Sequence, residues 1–255
     1  MPSTTTARLT WRDRLQDLRI PQVPGPTEIL PRLWRIPTGG ADSYLVLDDE
    51  ITLIDTGTPG SGAGILETVR SLGRDVDDIR TILITHYHID HVGGLAEVQR
   101  HVPAWTGVHV AEAAAIESHL PLPTPFKQPF LARIVDPYLE ARDPGPARVD
   151  EELADGDELP GLGGIRIVHT PGHTPGSISL HFPELGAVVI GDAMQFRFGR
   201  LMLPNRLFTQ DMDEAMGAIR KLSRVDFDTL CFSHYRPIRQ DASKELRTFI
   251  STLLP

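Results

Sequence analysis

A single cysteine, Cys231, stands among 255 residues, so no disulfide can close within the chain and folding does not call for an oxidising compartment. Long apolar runs are missing too, and none reaches the length that crosses a bilayer. The first ten residues, Met1 to Thr10, lack the apolar core of a signal peptide. A cytoplasmic protein with no membrane contact is therefore the expectation. Basic charge is also in short supply. The net charge is −9 with both signs interspersed, which argues against a nucleic-acid partner held by electrostatics. Apolar content is ordinary, and at this length it fills a full core.

Residues 1–28 read as an N-terminal arm. Trp11 to Arg19 could form a short amphipathic helix, and Pro21, Pro24 and Pro26 then force an extended path. The arm packs on the body or on a second subunit, which leaves a homodimer open. From residue 29 to 255 the pattern is that of one domain. Short strands are predicted at 33–36, 43–47 and 51–54, a helix at 62–73 ending on Gly73, a strand over 82–84 and a helix from Leu95 to Arg100. A strand at 105–110 and a helix at 111–117 follow. Residues 118–148 then carry seven prolines without clear periodicity, too long for a plain connector. They read as a lid-like insertion, with an irregular surface excursion as the alternative. The second half repeats the grammar, with strands at 164–168, 178–180, 187–190 and 229–232 and helices at 210–223 and 242–253. Cys231 falls inside a strand and reads as core.

The chain is organised around residues 79–96. A β-branched apolar run, Ile82 to Ile84, breaks into His86, His88, Asp90 and His91, followed by Gly93 and Gly94 and a helical stretch. Three imidazoles and a carboxylate so close together cannot be buried without a partner. A metal ion supplies one, and this donor type suits zinc, iron or manganese. Further along, strands also end in or feed Asp55, His173, Asp192 and His234. Polar groups delivered at one end of a sheet, where loops hold them while strands stay dry, point to a shared site. His101, His109, His119, His169 and His181 read as surface or structural histidines, although His169, four residues before His173, could support a ligand.

The pattern Thr-His-x-His-x-Asp-His-x-Gly-Gly after a strand resembles the signature of the metallo-β-lactamase-fold hydrolases. The resemblance covers about residues 29 to 240 and implies an α+β fold, a four-layer αβ/βα sandwich. It implies two divalent metal ions, zinc first with iron or manganese as alternatives. His86, His88 and His173 resemble the first metal site of that family, and Asp90, His91 and His234 the second. Asp192 resembles the carboxylate that bridges the ions, and Asp55 the carboxylate behind a ligand imidazole. The chemistry implied is attack by a metal-bridging hydroxide on an electrophilic carbonyl, with Asp192 and Asp90 as the catalytic carboxylates and Asp90 placed to pass a proton to the leaving group.

Fold alone does not choose among the reactions of such a family. Asp192 is acidic where true β-lactamases are not. Quorum-quenching lactonases resemble this chain in Thr-Pro-Gly-His-Thr-Pro-Gly, residues 170–176, and in the insertion, but they often carry tyrosine where Gln195 stands here. Glyoxalase II has a C-terminal helical region longer than the roughly 20 residues left after His234. Phe126, Phe130, Met194, Phe196 and Phe198 could line an apolar pocket beside the metals, with ordinary packing as the alternative. The resulting expectation is a hydrolase of the lactonase, esterase or thioesterase type acting on a small molecule. An iron-dependent oxidoreductase of sulfur or oxygen, or a phosphodiesterase, is the alternative.

Overall fold

The computed structural model describes residues 25–253 apart from 119, 127 and 162. Most of the N-terminal arm, including the expected helix at 11–19, and His119 lie outside the described residues. In chain order the elements are β1 (Thr27–Leu30), β2 (Leu33–Pro37), β3 (Asp42–Leu47), β4 (Ile51–Ile54), α1 (Gly62–Ser71), β5 (Ile79–Ile84), α2 (Ile89–Val92), α3 (Leu95–Gln99), β6 (Trp105–His109), α4 (Val110–Glu117) and α5 (Pro129–Glu140). The second half holds β7 (Glu151–Leu153), β8 (Glu158–Leu159), β9 (Ile165–His169), β10 (Ile178–Phe182), β11 (Ala187–Val189), β12 (Gln195–Arg197), β13 (Arg200–Met202), α6 (Met212–Leu222), β14 (Thr229–Cys231) and α7 (Ala242–Leu253).

Among the described residues, β1 to β7 form a seven-stranded sheet in sequence order, and β14-β11-β10-β9-β8 form a five-stranded one. Both are dry on two faces, and the period-2 alternation of a strand shows why. In β5, Ile82 and Ile84 turn to a core shared with α1 and α3, whereas Leu83 turns to the other sheet. β3 divides the same way, Leu45 to the helices and Tyr44 and Val46 to the second sheet. Across the gap, Ile178, Leu180 and Phe182 of β10 and Cys231 of β14 complete the central core. Val188 and Leu230 face outward onto Ile219 and Leu222 of α6 and Leu246 and Ile250 of α7. Helix, sheet, sheet and helix are thus held by three apolar cores, the four-layer αβ/βα sandwich of an α+β fold. Each fully buried Leu, Ile or Phe contributes about 1.5–3 kcal/mol.

Two parallel strand pairs place the polar loops. β4 runs parallel to β5 with Ile54 opposite Leu83, so Asp55 and Thr85 to His86 leave the sheet side by side. β11 runs parallel to β14 with Val189 opposite Cys231, which brings Asp192 next to His234. The sheets are tied at this end by Ile178 N donating to Thr85 O at 2.9 Å and Tyr44 Oη donating to Phe232 O at 2.6 Å.

Three expectations change. Strand β1 begins at Thr27, two residues inside the expected arm. The 118–148 insertion is not irregular throughout, since α5 runs from Pro129 to Glu140 with Pro137 inside it. Proline at the first helical position supplies a fixed φ and loses an N–H that would have been unpaired anyway. Helix-period apolar residues Leu131, Val135 and Leu139 carry it on. The prolines masked that period in the sequence. The third addition is the β12–β13 hairpin, where Phe198 takes the left-handed conformation in a tight turn.

Candidate metal centre

The break after β5 is sharp because α2 starts at once. His88 caps it, and Asp90 and His91 lie within it. Gly93 follows because a side chain there would run into Ile89 O and Pro59. His91 O accepts from Thr56 N at 2.7 Å and Thr56 Oγ1 at 3.0 Å, which fixes the short helix against the β4 loop.

His86, His88, His91 and His173 are all buried. His88 Nδ1 lies 3.1 Å from His86 Nε2 and 3.0 Å from His173 Nε2. Three ring nitrogens therefore converge on one point. Burial and then the neighbouring imidazoles hold His86 and His88 well below the usual histidine range, and burial likewise lowers His173. Neutral imidazoles with lone pairs directed inward are a donor set that could hold a cation.

The second group is Asp90, His91 and His234, with His234 Nε2 3.4 Å from Asp90 Oδ2. Asp192 stands between the groups. Its Oδ2 is 3.3 Å from His234 Nε2 and 3.5 Å from His173 Nε2, and its Oδ1 is 3.7 Å from His91 Nε2. Burial alone would raise the Asp192 carboxyl, but the His234 hydrogen bond and the surrounding imidazoles outweigh it and hold it well below the carboxylate range. Burial opposes charge on His91 as well. There the carboxylates of Asp55, Asp90 and Asp192 prevail and push the ring up to about 10. That field calls for positive charge, and His91 Nε2 is buried without a hydrogen-bond partner. A lone pair of that kind, set among carboxylates, fits a divalent cation in place of the proton.

Asp55 reaches both groups. It takes a left-handed φ of 54°, a conformation that Asp and Asn tolerate better than other side chains. Its Oδ2 accepts from His91 Nδ1 at 2.8 Å and from Thr85 Oγ1 at 2.8 Å, and Oδ1 accepts from Thr85 N at 2.7 Å. Thr85 Oγ1 in turn lies 3.1 Å from His86 Nδ1. One carboxylate thereby sets which nitrogen of His86 and of His91 carries the proton, leaving both Nε2 atoms free for a metal. Asp55→Asn keeps the backbone conformation but removes the charge. It is expected to weaken metal affinity about ten- to a hundred-fold, read by competition with a chromophoric chelator. Unchanged affinity would make Asp55 a loop-packing residue only.

Asp90, Asp192 and His234 are partly open, and they face a cavity of about 670 Å³. Its walls are Pro121 to Phe126 from the insertion, Val135 and Leu139 of α5, Met194, Phe208 and Tyr235. Phe126 packs on Phe208 with ring centroids 5.2 Å apart. Of the five expected pocket residues, Phe126 and Met194 line the cavity. Phe130 does not, since it points from the outer face of α5 at 73% exposure. Phe198 does not either, at 86% exposure on the hairpin turn. Phe196 stacks on Phe232 in the outer core, with centroids 5.8 Å apart. Aromatic type gave no hint of which helix face or hairpin side each ring would take.

His169 is not among the converging rings. It stacks on His109 with centroids 4.0 Å apart, and its Nε2 bonds Pro175 O at 2.9 Å in the turn after His173. His101 bonds Glu97 O on the surface, and His181 is buried within β10. Cys231 lies in the core, where burial pushes its thiol up to about 12. Three residues have a place at the site that the sequence did not assign them: Thr85, Glu112 and Tyr235. Thr85 is the first letter of the histidine motif, and Glu112 is the lone acid in the apolar run Val110 to Ile116. Tyr235 follows His234, and its hydroxyl bonds Gln195 Oε1 at 3.0 Å on the cavity wall.

The sequence profile of the Metallo-beta-lactamase superfamily matches residues 36–234. A hydroxyacylglutathione hydrolase of Cereibacter sphaeroides is 32% identical over 155 residues, 60% of this chain and 47% of that protein. This chain thus spans about half the length of that relative. The probable metallo-hydrolase YflN of Bacillus subtilis is 26% identical over 200 residues, 73% of this chain and 75% of its own. Among solved structures, a metallo-beta-lactamase family protein from Thermus thermophilus superposes with a TM-score of 0.67 at 22% identity, over 89% of this chain and 80% of that one. That likeness concerns the fold.

Proposed function

The chain belongs to the metallo-beta-lactamase superfamily, and from that premise we propose that it is a dinuclear metal-dependent hydrolase of a small carboxylic ester, lactone or thioester. The observation that carries this reading is the convergence of two donor groups on Asp192 at the floor of an apolar-walled cavity. Members of this superfamily hold divalent metal ions, and zinc is the ion proposed here. His86, His88 and His173 would hold one ion and Asp90, His91 and His234 the other, with Asp192 placed between the two groups. When bound, such ions supply an activated water and a Lewis acid for the substrate carbonyl. The chain's own residues do the rest. Asp55 keeps the imidazole lone pairs aimed inward, the cavity wall excludes bulk water from the acyl group, and Asp90 would relay to the leaving group the proton that the attacking water gives up.

Metal analysis of protein purified without added metal, run beside p-nitrophenyl esters, lactones of graded chain length and S-lactoylglutathione, tests the proposal. About two zinc ions per chain and turnover of one of these classes is the expected result. Full activity with one ion or none would sink the dinuclear reading. Iron with oxygen consumption and no hydrolysis would favour an oxidoreductase.

The insertion at 118–148 is proposed to act as a lid that selects substrate and leaves the chemistry alone. Phe126→Ala is expected to lower kcat/KM for bulky acyl groups about tenfold, with metal content and turnover of the smallest ester unchanged. Phe130→Ala, on the solvent face, serves as the silent control. Equal losses on small and large substrates would show that the segment is packing rather than a lid.

A further inference from the structure

Glu112 is a buried acid that the proposed chemistry leaves unused. It sits in the first turn of α4 and is fully buried. No lysine, arginine or histidine pairs with it among the described residues. A carboxylate in the interior is costly unless hydrogen bonds replace its hydration. Here they come from two different loops. Oε2 accepts from Tyr87 N at 2.7 Å, and Tyr87 is the residue between His86 and His88. Oε1 accepts from Gly176 N at 2.6 Å and from Thr174 Oγ1 at 2.9 Å, in the turn that follows His173.

The surroundings are built to this contact. A side chain on Gly176 would place its Cβ 2.5 Å from Glu112 Cγ, so only glycine lets the turn close on the carboxylate. A second link runs beside it, as Gln210 Nε2 donates to Tyr87 Oη and Gln210 N donates to His173 O at 3.2 Å. An apolar residue at 112 would fill the space yet strand two buried N–H groups, each of which needs an acceptor.

We propose that Glu112 is a positioning residue that clamps the His86–His88 loop to the His173 loop and so sets the geometry of the three-imidazole half of the metal centre. This rests on the metal reading above, but it assigns a role to a residue that touches neither ion nor substrate. Its bonds reach only one of the two donor groups, so its loss should act on one ion more than the other.

Glu112→Gln keeps size and shape but turns one acceptor oxygen into an NH2 group. Whichever way the amide faces, it sets a donor against Tyr87 N or against Gly176 N. Chelator competition on the zinc-loaded protein is expected to show one ion held about ten- to a hundred-fold more weakly, with altered visible bands in the cobalt-substituted form. Wild-type affinity for both ions and unchanged bands, even with a lower melting temperature, would overturn the proposal and leave Glu112 as packing. If that variant does not fold, Thr174→Val removes a single donor, and a loss of about three- to tenfold in affinity is expected. Wild-type affinity in folded Thr174→Val would equally overturn it. A wild-type chain that binds no ion refutes the metal reading itself, a result distinct from equal binding by wild type and variant.

Discussion

Asp192→Asn is expected to cut hydrolysis on the order of a hundred-fold or more and to lower bound metal from about two ions towards one. Asparagine matches the volume of aspartate, so the loop after β11 should keep its path. What changes is the charge and one of the two acceptors. Asp192 offers Oδ2 to His234 and His173 and Oδ1 to His91, at 3.3–3.7 Å. It stands between the two donor groups. An amide there would bring a donor towards the proposed pair of cations and remove the negative charge that would let them lie close together. Metal content by mass spectrometry and kcat on the best ester or lactone read the two effects separately. Turnover that stays at the wild-type level would take Asp192 out of the mechanism.

Much of the framework was legible because burial writes itself into periodicity. Ile82 to Ile84 and Leu230 to Cys231 lie in strands wet on neither face, and their apolar residues say so, whereas Ile178 to Phe182 is buried on both faces although Ser179 and His181 alternate with its apolar residues. The helix from Ala242 to Leu253 was read with its observed limits. The polar loops were legible for the converse reason, since histidines and aspartates at strand ends have no packing role there. Side-chain direction in the insertion was not legible. Phe126 and Phe130 are alike in type, yet one packs on Phe208 inside the cavity wall and the other projects from α5. Helix phase decides that, and the prolines around 121–137 hid the helix. Supporting groups escaped for another reason. Glu112 works through backbone N–H groups, which every residue carries, so nothing in the sequence marks its partners. Thr85 and Asp55 are 30 residues apart and meet because β4 and β5 are parallel neighbours. That pairing is a property of topology that local pattern does not contain.

Removing the metal is expected to abolish turnover and to lower the melting temperature by roughly 10 °C. His91 Nε2 is buried without a hydrogen-bond partner. Asp90 and Asp192 face each other across His234. Without a cation, the carboxylates of Asp55, Asp90 and Asp192 push His91 up and favour its protonated form. His86 and His88 stay neutral and crowd one another at 3.1 Å. One proton cannot match the charge of two ions, so the loops after β5, β9, β11 and β14 lose the tie that crosses both sheets. An ion present at about a thousand times its Kd stabilises the folded state by about 4 kcal/mol. In a chain of this size each kcal/mol moves the midpoint by about 2–4 °C. The three apolar cores do not depend on the ions, so the metal-free chain should remain folded at 25 °C with native far-ultraviolet circular dichroism. Thermal melts before and after dialysis against a strong chelator, followed by zinc readdition, measure the shift and its reversal. An unchanged midpoint would show that the imidazole cluster is satisfied without metal, and the dinuclear reading would fall with it.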